Sequence, residues 1–255
     1  MAEERETSLR NKIAFVSGAS KGIGVAIAET LAQAGADLAL TARNESELED
    51  TAEAARKSGV RVWTRTAELA NTDEVTELGE AVLEEFGRVD ILVNNAGLSF
   101  PQTLLDITVD EWNTTLNVNL LAPLLLAQTF APGMIERGHG KIINVSSRAG
   151  IGALPQHGAY SASKAGLQLL TQTMAVEFGP HNIQSNCVAP TVIRTPMADQ
   201  VWKPGPTTDA KLNRIPAGHF GEPVQVAEAI MFLASPNSDF INGVTLPVDG
   251  GEGAA

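Results

Sequence analysis

The sequence holds one cysteine in 255 residues, and a single thiol cannot close an internal disulfide. Cys187 has no cluster of metal-ligating residues near it, so we expect a buried strand thiol, no metal, and a reducing, cytoplasmic compartment. Basic residues are also scarce: 18 lysines and arginines stand against 30 acidic residues, a net charge of -12. Nucleic acid or an anionic membrane would require a basic face, so neither is expected as a partner, and any phosphate must be met locally. Unbroken apolar runs are missing too. The longest, residues 116–130, is interrupted by Asn117, Asn119, Pro123 and Gln128, which suits a helix packed on two sides better than a bilayer span. Residues 1–10 are charged throughout and lack the apolar stretch of a signal peptide, so a loose tail over 1–11 is expected.

Apolar residues make up 44% of the chain, enough at this length for one large core, and a single domain over 12–255 is expected. The apolar run 13–16 leads into Ser17-Gly-Ala-Ser-Lys-Gly-Ile-Gly24, after which helical spacing sets in over 23–34. This is strand, glycine loop, helix. Gly18, Gly22 and Gly24 permit a tight turn and close backbone approach, so that amides at the helix start can meet a pyrophosphate. The second strand, 37–41, ends where an acidic residue would bind an adenosine ribose 2′-hydroxyl. Thr41, Ala42 and Arg43 stand there instead, and Arg43 with Lys21 suits a 2′-phosphate, which favours NADP (NADPH) as cofactor.

The alternation continues with helix 45–57, strand 60–65, helix 72–86, strand 91–94, one long helix over 109–137 and strand 142–145. Strands alternating with helices imply a parallel sheet covered on both faces. Asn94-Asn-Ala-Gly97 closes the fourth strand, where its amides can hold neighbouring strands and a ribose. Asn117 and Asn119 lie in the apolar middle of the long helix and need hydrogen-bond partners there. Ser147 ends the fifth strand 13 residues before Tyr160. Tyr160 and Lys164, four apart on a helix, share a face. An ammonium about 4 Å from a phenol, at an effective dielectric of about 20, is worth roughly 4 kcal/mol, enough to bring Tyr160 toward neutral pH as an acid or base.

On GxxxGxG at 18–24, Asn94-Asn-Ala-Gly97, Ser147 and the YxxxK of Tyr160 and Lys164, the chain from about 12 to 251 resembles the short-chain dehydrogenase/reductase family. The resemblance implies a Rossmann-type, doubly wound α/β fold with a seven-stranded parallel sheet. It implies a catalytic tetrad: Tyr160 as proton donor or acceptor, Ser147 polarising the carbonyl, Lys164 binding the nicotinamide ribose and lowering the Tyr160 pKa, and Asn119 holding a relay water. It further implies that the cofactor lies against Gly18, Ser20, Lys21, Gly22, Ile23, Gly24, Arg43, Glu68, Leu69, Asn95, Ala96, Gly97, Pro190, Val192, Ile193 and Thr195. Glu68-Leu69 replaces the common Asp contact to adenine, and Pro190-Thr191 replaces Pro-Gly.

Thr191, Met197 with Trp202, residues 212–216 and 245–251, Arg43 and His157 look like the L-xylulose (dicarbonyl) reductase branch. Residues 191–214, with Pro204-Gly-Pro206, read as a lid, and Ser147, Arg148, His157, Tyr160, Thr191 and Trp202 as the substrate site. His157 can hydrogen-bond a second substrate oxygen while Trp202 covers the apolar side. The expected reaction is NADP(H)-linked interconversion of a ketone and its secondary alcohol, on a small sugar or vicinal dicarbonyl. Two alternatives remain: a 3-oxoacyl-[acyl-carrier-protein] reductase, with Arg148 and Arg194 greeting an acidic carrier, and a non-catalytic NADP-binding sensor. Helices over 116–130 and 165–178 carry apolar residues on more than one face, and with the family resemblance they point to a homotetramer.

Overall fold

The computed structural model describes residues 8–254; residues 1–7 of the expected tail and the Met197 side chain lie outside them. Seven parallel strands form one sheet in the order β3-β2-β1-β4-β5-β6-β7, with β1 Ile13–Ser17, β2 Asp37–Ala42, β3 Val62–Thr66, β4 Ile91–Asn94, β5 Gly140–Val145, β6 Ile183–Pro190 and β7 Thr245–Val248. The order reverses between β1 and β4, and that switch point opens the crevice in which ligands of such sheets bind. A single Rossmann-type α/β domain results.

Period-two alternation divides the core between the faces. From β1, Ala14 and Val16 join Ile27 and Leu31 of α1 (Ile23–Gln33) and Val226 and Ile230 of α9 (Pro223–Ala234). Phe15 turns to the other face and meets Phe130 at 5.5 Å between ring centroids, beside Leu78 of α3 (Thr72–Phe86) and Leu126. The second helix, α2 Glu45–Arg56, is capped by the Asn44 side chain, which accepts from the Glu47 amide.

The long helix differs from its sequence reading. It is α4 Val109–Leu116, a π-helical turn over Asn117–Leu121, and α5 Ala122–Arg137. The extra residue in the π turn lets Asn119 reach out of the helix to the Leu98 backbone, a bond that an unbroken α ladder would not place. By length and composition alone Val109–Arg137 is apolar enough to cross a membrane, but half of its most apolar window is buried in the protein's own interior. The beginning of the chain differs too. Leu9 is 1% exposed and its amide donates to the Ala34 carbonyl at 2.8 Å, so the packed chain starts before residue 12. The surrounding charges hid that one apolar anchor.

Candidate active site

The glycine loop is shaped by contacts that leave no room for a Cβ. At Gly24 it would lie 2.0 Å from the Gly18 carbonyl oxygen, and at Gly18, with φ of 67°, it would lie 2.8 Å from the Ala96 Cα. Asn95 ties the loop to β4: its Nδ2 donates to the Ser17 and Gly18 carbonyls, both at 3.0 Å. Asn94 ties β4 to β5 by donating to Asn144 Oδ1 at 2.8 Å, and Asn144 passes the chain on to Thr171 at 2.8 Å. The double Asn thus holds neighbouring strands as its sequence position suggested.

A cleft of about 300 Å³ opens above these strand ends. Gly18, Ser20, Lys21, Gly22, Ile23, Gly24, Arg43, Glu68, Leu69, Asn95, Ala96, Gly97 and Thr195 of the expected cofactor residues line it. Ala42, Ala67, Leu98, Val118 and Pro196 line it as well and were missed. The signal for Ala42 and Ala67 was available, since each sits at the C-terminal end of its strand or just beyond it. Pro190, Val192 and Ile193 are not among the lining residues. Ile193 is buried in the core and forms a bridge with Gly221, so any contact it makes with a ligand is through its backbone. Both cations at the β2 corner have carboxylate partners: Lys21 with Glu47 at 2.7 Å and Arg43 with Glu68 at 3.8 Å, all at partly exposed side chains. The amide-rich loop and the glycines that a side chain would fill fit a pyrophosphate-bearing dinucleotide.

The four tetrad residues gather beside this cleft. Tyr160 and Lys164 lie on α6 Gly158–Phe178, and Ser147, which follows β5, has its hydroxyl accepting from the Ala149 amide at 3.1 Å and near enough to the Tyr160 phenol to act on its pKa. Lys164 Nζ donates to the Val145 carbonyl at 2.7 Å and stands 5.7 Å from the Tyr160 ring centroid. A Cβ on Gly97 would lie 3.3 Å from Lys164 Nζ and 3.4 Å from Asn119 Oδ1, which places all three in one corner. Burial pushes the Tyr160 phenol above its ordinary value, and the neighbouring Ser147 hydroxyl only partly opposes it. Lys164 uses one of its three N–H donors on Val145, and burial brings its own pKa down to about 8. The Asn119 side chain accepts from the Leu98 amide at 2.9 Å and donates to the Leu98 carbonyl at 2.9 Å and to Ser163 Oγ at 3.0 Å.

The expected substrate residues divide. His157, at the start of α6, meets the Tyr160 ring edge-on at 6.2 Å, and its Nδ1 donates to the Pro155 carbonyl at 2.8 Å. Arg148 turns to Asp249, 3.4 Å away, and the Thr191 hydroxyl donates to Glu252. Trp202 packs on Phe220 at 5.8 Å between centroids, at the end of α7 Pro196–Val201; α8 Pro206–Leu212 completes the lid segment.

A doubly wound sheet with a glycine loop over its switch point, joined to a Ser-Tyr-Lys-Asn corner, defines a nicotinamide-dependent oxidoreductase acting on a CH–OH/C=O pair, and the chain belongs to the short-chain dehydrogenase/reductase family. The family model that matches it, described as enoyl-(acyl carrier protein) reductase, spans residues 18–252. The chain is 40% identical over 244 residues to the L-xylulose reductase of Bos taurus, covering 95% of this chain and 97% of that one. It is 36% identical over 243 residues to the 3-oxoacyl-[acyl-carrier-protein] reductase FabG of Thermotoga maritima, covering 95% and 98%. Among solved structures, a gluconate 5-dehydrogenase from Burkholderia cenocepacia J2315 in complex with NADP and tartrate superposes with a TM-score of 0.92 at 33% identity, covering 99% of each chain.

Proposed function

We propose that this chain is an NADP(H)-dependent oxidoreductase that interconverts a small ketose, of the xylulose kind, or a vicinal dicarbonyl with the corresponding secondary alcohol. The observation that carries the cofactor assignment is the corner after β2, which brings Arg43 and Lys21 to the cleft and has no carboxylate at residues 41–43. Their pairs with Glu68 and Glu47 are solvent-exposed and worth at most about 1 kcal/mol, whereas hydrogen bonds to a charged group are worth about 1.5–3 kcal/mol. A 2′-phosphate therefore displaces the two carboxylates rather than being excluded by them.

In this reading the nicotinamide supplies or takes the hydride. Tyr160 Oη gives the proton to the carbonyl oxygen, or takes it from the alcohol, while the Ser147 hydroxyl bonds the same oxygen. Lys164 keeps two N–H donors beyond its bond to Val145, and these would hold the ribose hydroxyls of a bound nicotinamide cofactor. Asn119 fixes the 97–98 backbone beside Lys164. Because His157 Nδ1 donates to a carbonyl, Nε2 of the neutral ring is an acceptor, and an acceptor suits a substrate hydroxyl better than a second carbonyl. That favours the sugar over the diketone. The identity to an L-xylulose reductase supports the same choice.

A second reading, reduction of a 3-oxoacyl thioester, draws support from the Thermotoga relative and from Arg194, whose side chain is 59% exposed. One experiment separates the readings: NADPH and NADH oxidation with xylulose, diacetyl and a 3-oxoacyl thioester. A preference for NADH removes the cofactor proposal, and turnover of the thioester alone removes the sugar one. The reading includes one domain under a lid over about 191–214, a cytoplasmic location, no nucleic-acid or membrane partner, and a homotetramer. Leu169 and Val176 protrude from α6 at 65% and 76% exposure, which a neighbouring protomer would cover. Light scattering that returned a monomer would overturn the tetramer.

A further inference from the structure

The lid segment begins at Thr191, where β6 ends, and closes after Lys211 and Arg214. One buried carboxylate touches both ends. Glu252, whose side chain is 4% exposed, accepts from the Thr191 hydroxyl on Oε2, while its Oε1 is 2.5 Å from Lys211 Nζ and 3.7 Å from Arg214 Nη2. Burial pushes the Glu252 pKa up, but the bonds from Lys211 and Thr191 outweigh it and hold the group below the ordinary carboxylate value.

The turn that carries Glu252 is itself fixed on two sides. Gly250 and Gly251 have φ of 59° and 89°, and added Cβ atoms there would lie 2.9 Å from Ile215 Cγ2 and 3.2 Å from Pro216 Cγ, so the turn lies flat against the lid's exit strand of chain. The Ala217 amide donates to the Gly250 carbonyl at 3.0 Å. Asp249 accepts from the Gly251 and Gly253 amides at 3.0 and 2.9 Å and stands 3.4 Å from Arg148 Nε, the residue next to Ser147.

We infer that Glu252 is a positioning residue for the reaction: it pins both ends of the 191–214 lid to the turn that also receives Arg148, and so sets how the lid closes over Ser147 and Tyr160. The lid body, with α7, Trp202 and α8, then moves about a fixed pin rather than about two free hinges. The kinetic consequence rests on the reductase reading; the mechanical one does not.

The test has two arms, run on the full chain. In the first, Glu252→Gln is expected to raise KM for the reduced ketone about 10-fold, the loss of one charge-assisted bond, with kcat within about threefold of wild type. In the second, trypsin is expected to cut after Arg194, Lys211 and Arg214 several-fold faster in Glu252→Gln, roughly as lid closure weakens. Glu252→Asp, one methylene shorter, should recover part of both effects. Arg214→Ala, at a side chain 66% exposed, loses its own tryptic site but should shift KM and the cuts after Arg194 and Lys211 in the same direction by less. A folded Glu252→Gln protein with unchanged tryptic rates overturns the inference, as does a fall in kcat at constant KM. If Glu252→Gln does not fold, Arg214→Ala and Lys211→Met decide on the same criteria, with the tryptic rate read after Arg194 and after whichever of Lys211 and Arg214 the variant keeps. If the wild type reduces no ketone, the reductase reading falls and the tryptic arm alone decides the pin.

Discussion

Tyr160 and Lys164 are one helical turn apart, and burial acts on them in opposite senses. It raises the phenol's pKa and lowers that of the ammonium to about 8, each time disfavouring the charged form. A phenol kept protonated is ready to donate, which suits reduction. Tyr160→Phe should lower turnover at least about 100-fold while NADPH still binds, measured by steady-state kinetics beside a fluorescence titration. Turnover near wild type would remove Tyr160 from the chemistry. For Lys164 the sign follows from the depressed pKa: the free protein loses this cation as pH rises through about 8, so NADPH binding should weaken above that pH. The dissociation constant measured from pH 7 to about 9.5 should rise by at most about tenfold per pH unit in wild type and by less in Lys164→Met.

At the scale of elements, the glycine loop works because three backbones approach more closely than side chains permit. Gly24→Ala places a methyl 2.0 Å from the Gly18 carbonyl oxygen, a backbone contact that cannot yield without a shift of the loop, and 2.8 Å from the Asn95 Nδ2 that ties the loop to β4. The loop must move away from Asn95. We expect NADPH affinity to fall at least about 10-fold, in keeping with the loss of one or two backbone bonds to a charged phosphate, while the far-UV circular dichroism spectrum is retained. Unchanged affinity would mean that the loop does not carry the pyrophosphate. The π turn is a second such device. It was invisible in residues 117–121 because their apolar spacing differs little from that of an α-helix, and the partners that Asn119 bonds, the Leu98 backbone and Ser163, lie far away in the chain.

At the scale of the whole molecule, the end of the sheet opposite the cleft holds a pH-dependent contact. Lys12 Nζ donates to His139 Nε2 at 2.8 Å, joining the entries of β1 and β5. Burial first, then the charge of Lys12, lowers the His139 pKa from 6.5. Between the folded value and 6.5 the unfolded chain holds more protons, so stability should fall as pH drops below 6.5 and level off once the folded ring is protonated. The lowered pKa values of Glu49, Glu111 and Glu252 add their own loss only in a more acid window, below 4.5. Denaturant unfolding of wild type and His139→Gln at pH 7.5, 6.5 and 5.5 separates the two. An identical slope in both proteins would acquit His139.

Much of this architecture is local and therefore legible in the residues themselves. Strand, glycine loop and helix at 13–34, the switch to period two in β1, and the YxxxK face of α6 are set by near neighbours in the chain, and short-range sterics and periodicity specify them. The sequence alone also carried the family, because the tetrad and glycine spacings recur together. Tertiary structure decided what depends on residues far apart. That Lys164 bonds Val145, that Arg148 stands against Asp249 and that Thr191 is held by Glu252 are matters of which partner is nearest in space. The sign of the Tyr160 shift is another: the YxxxK spacing puts a cation nearby that favours the phenolate, whereas desolvation by the surrounding fold raises the phenol, and no local pattern in the chain encodes that burial.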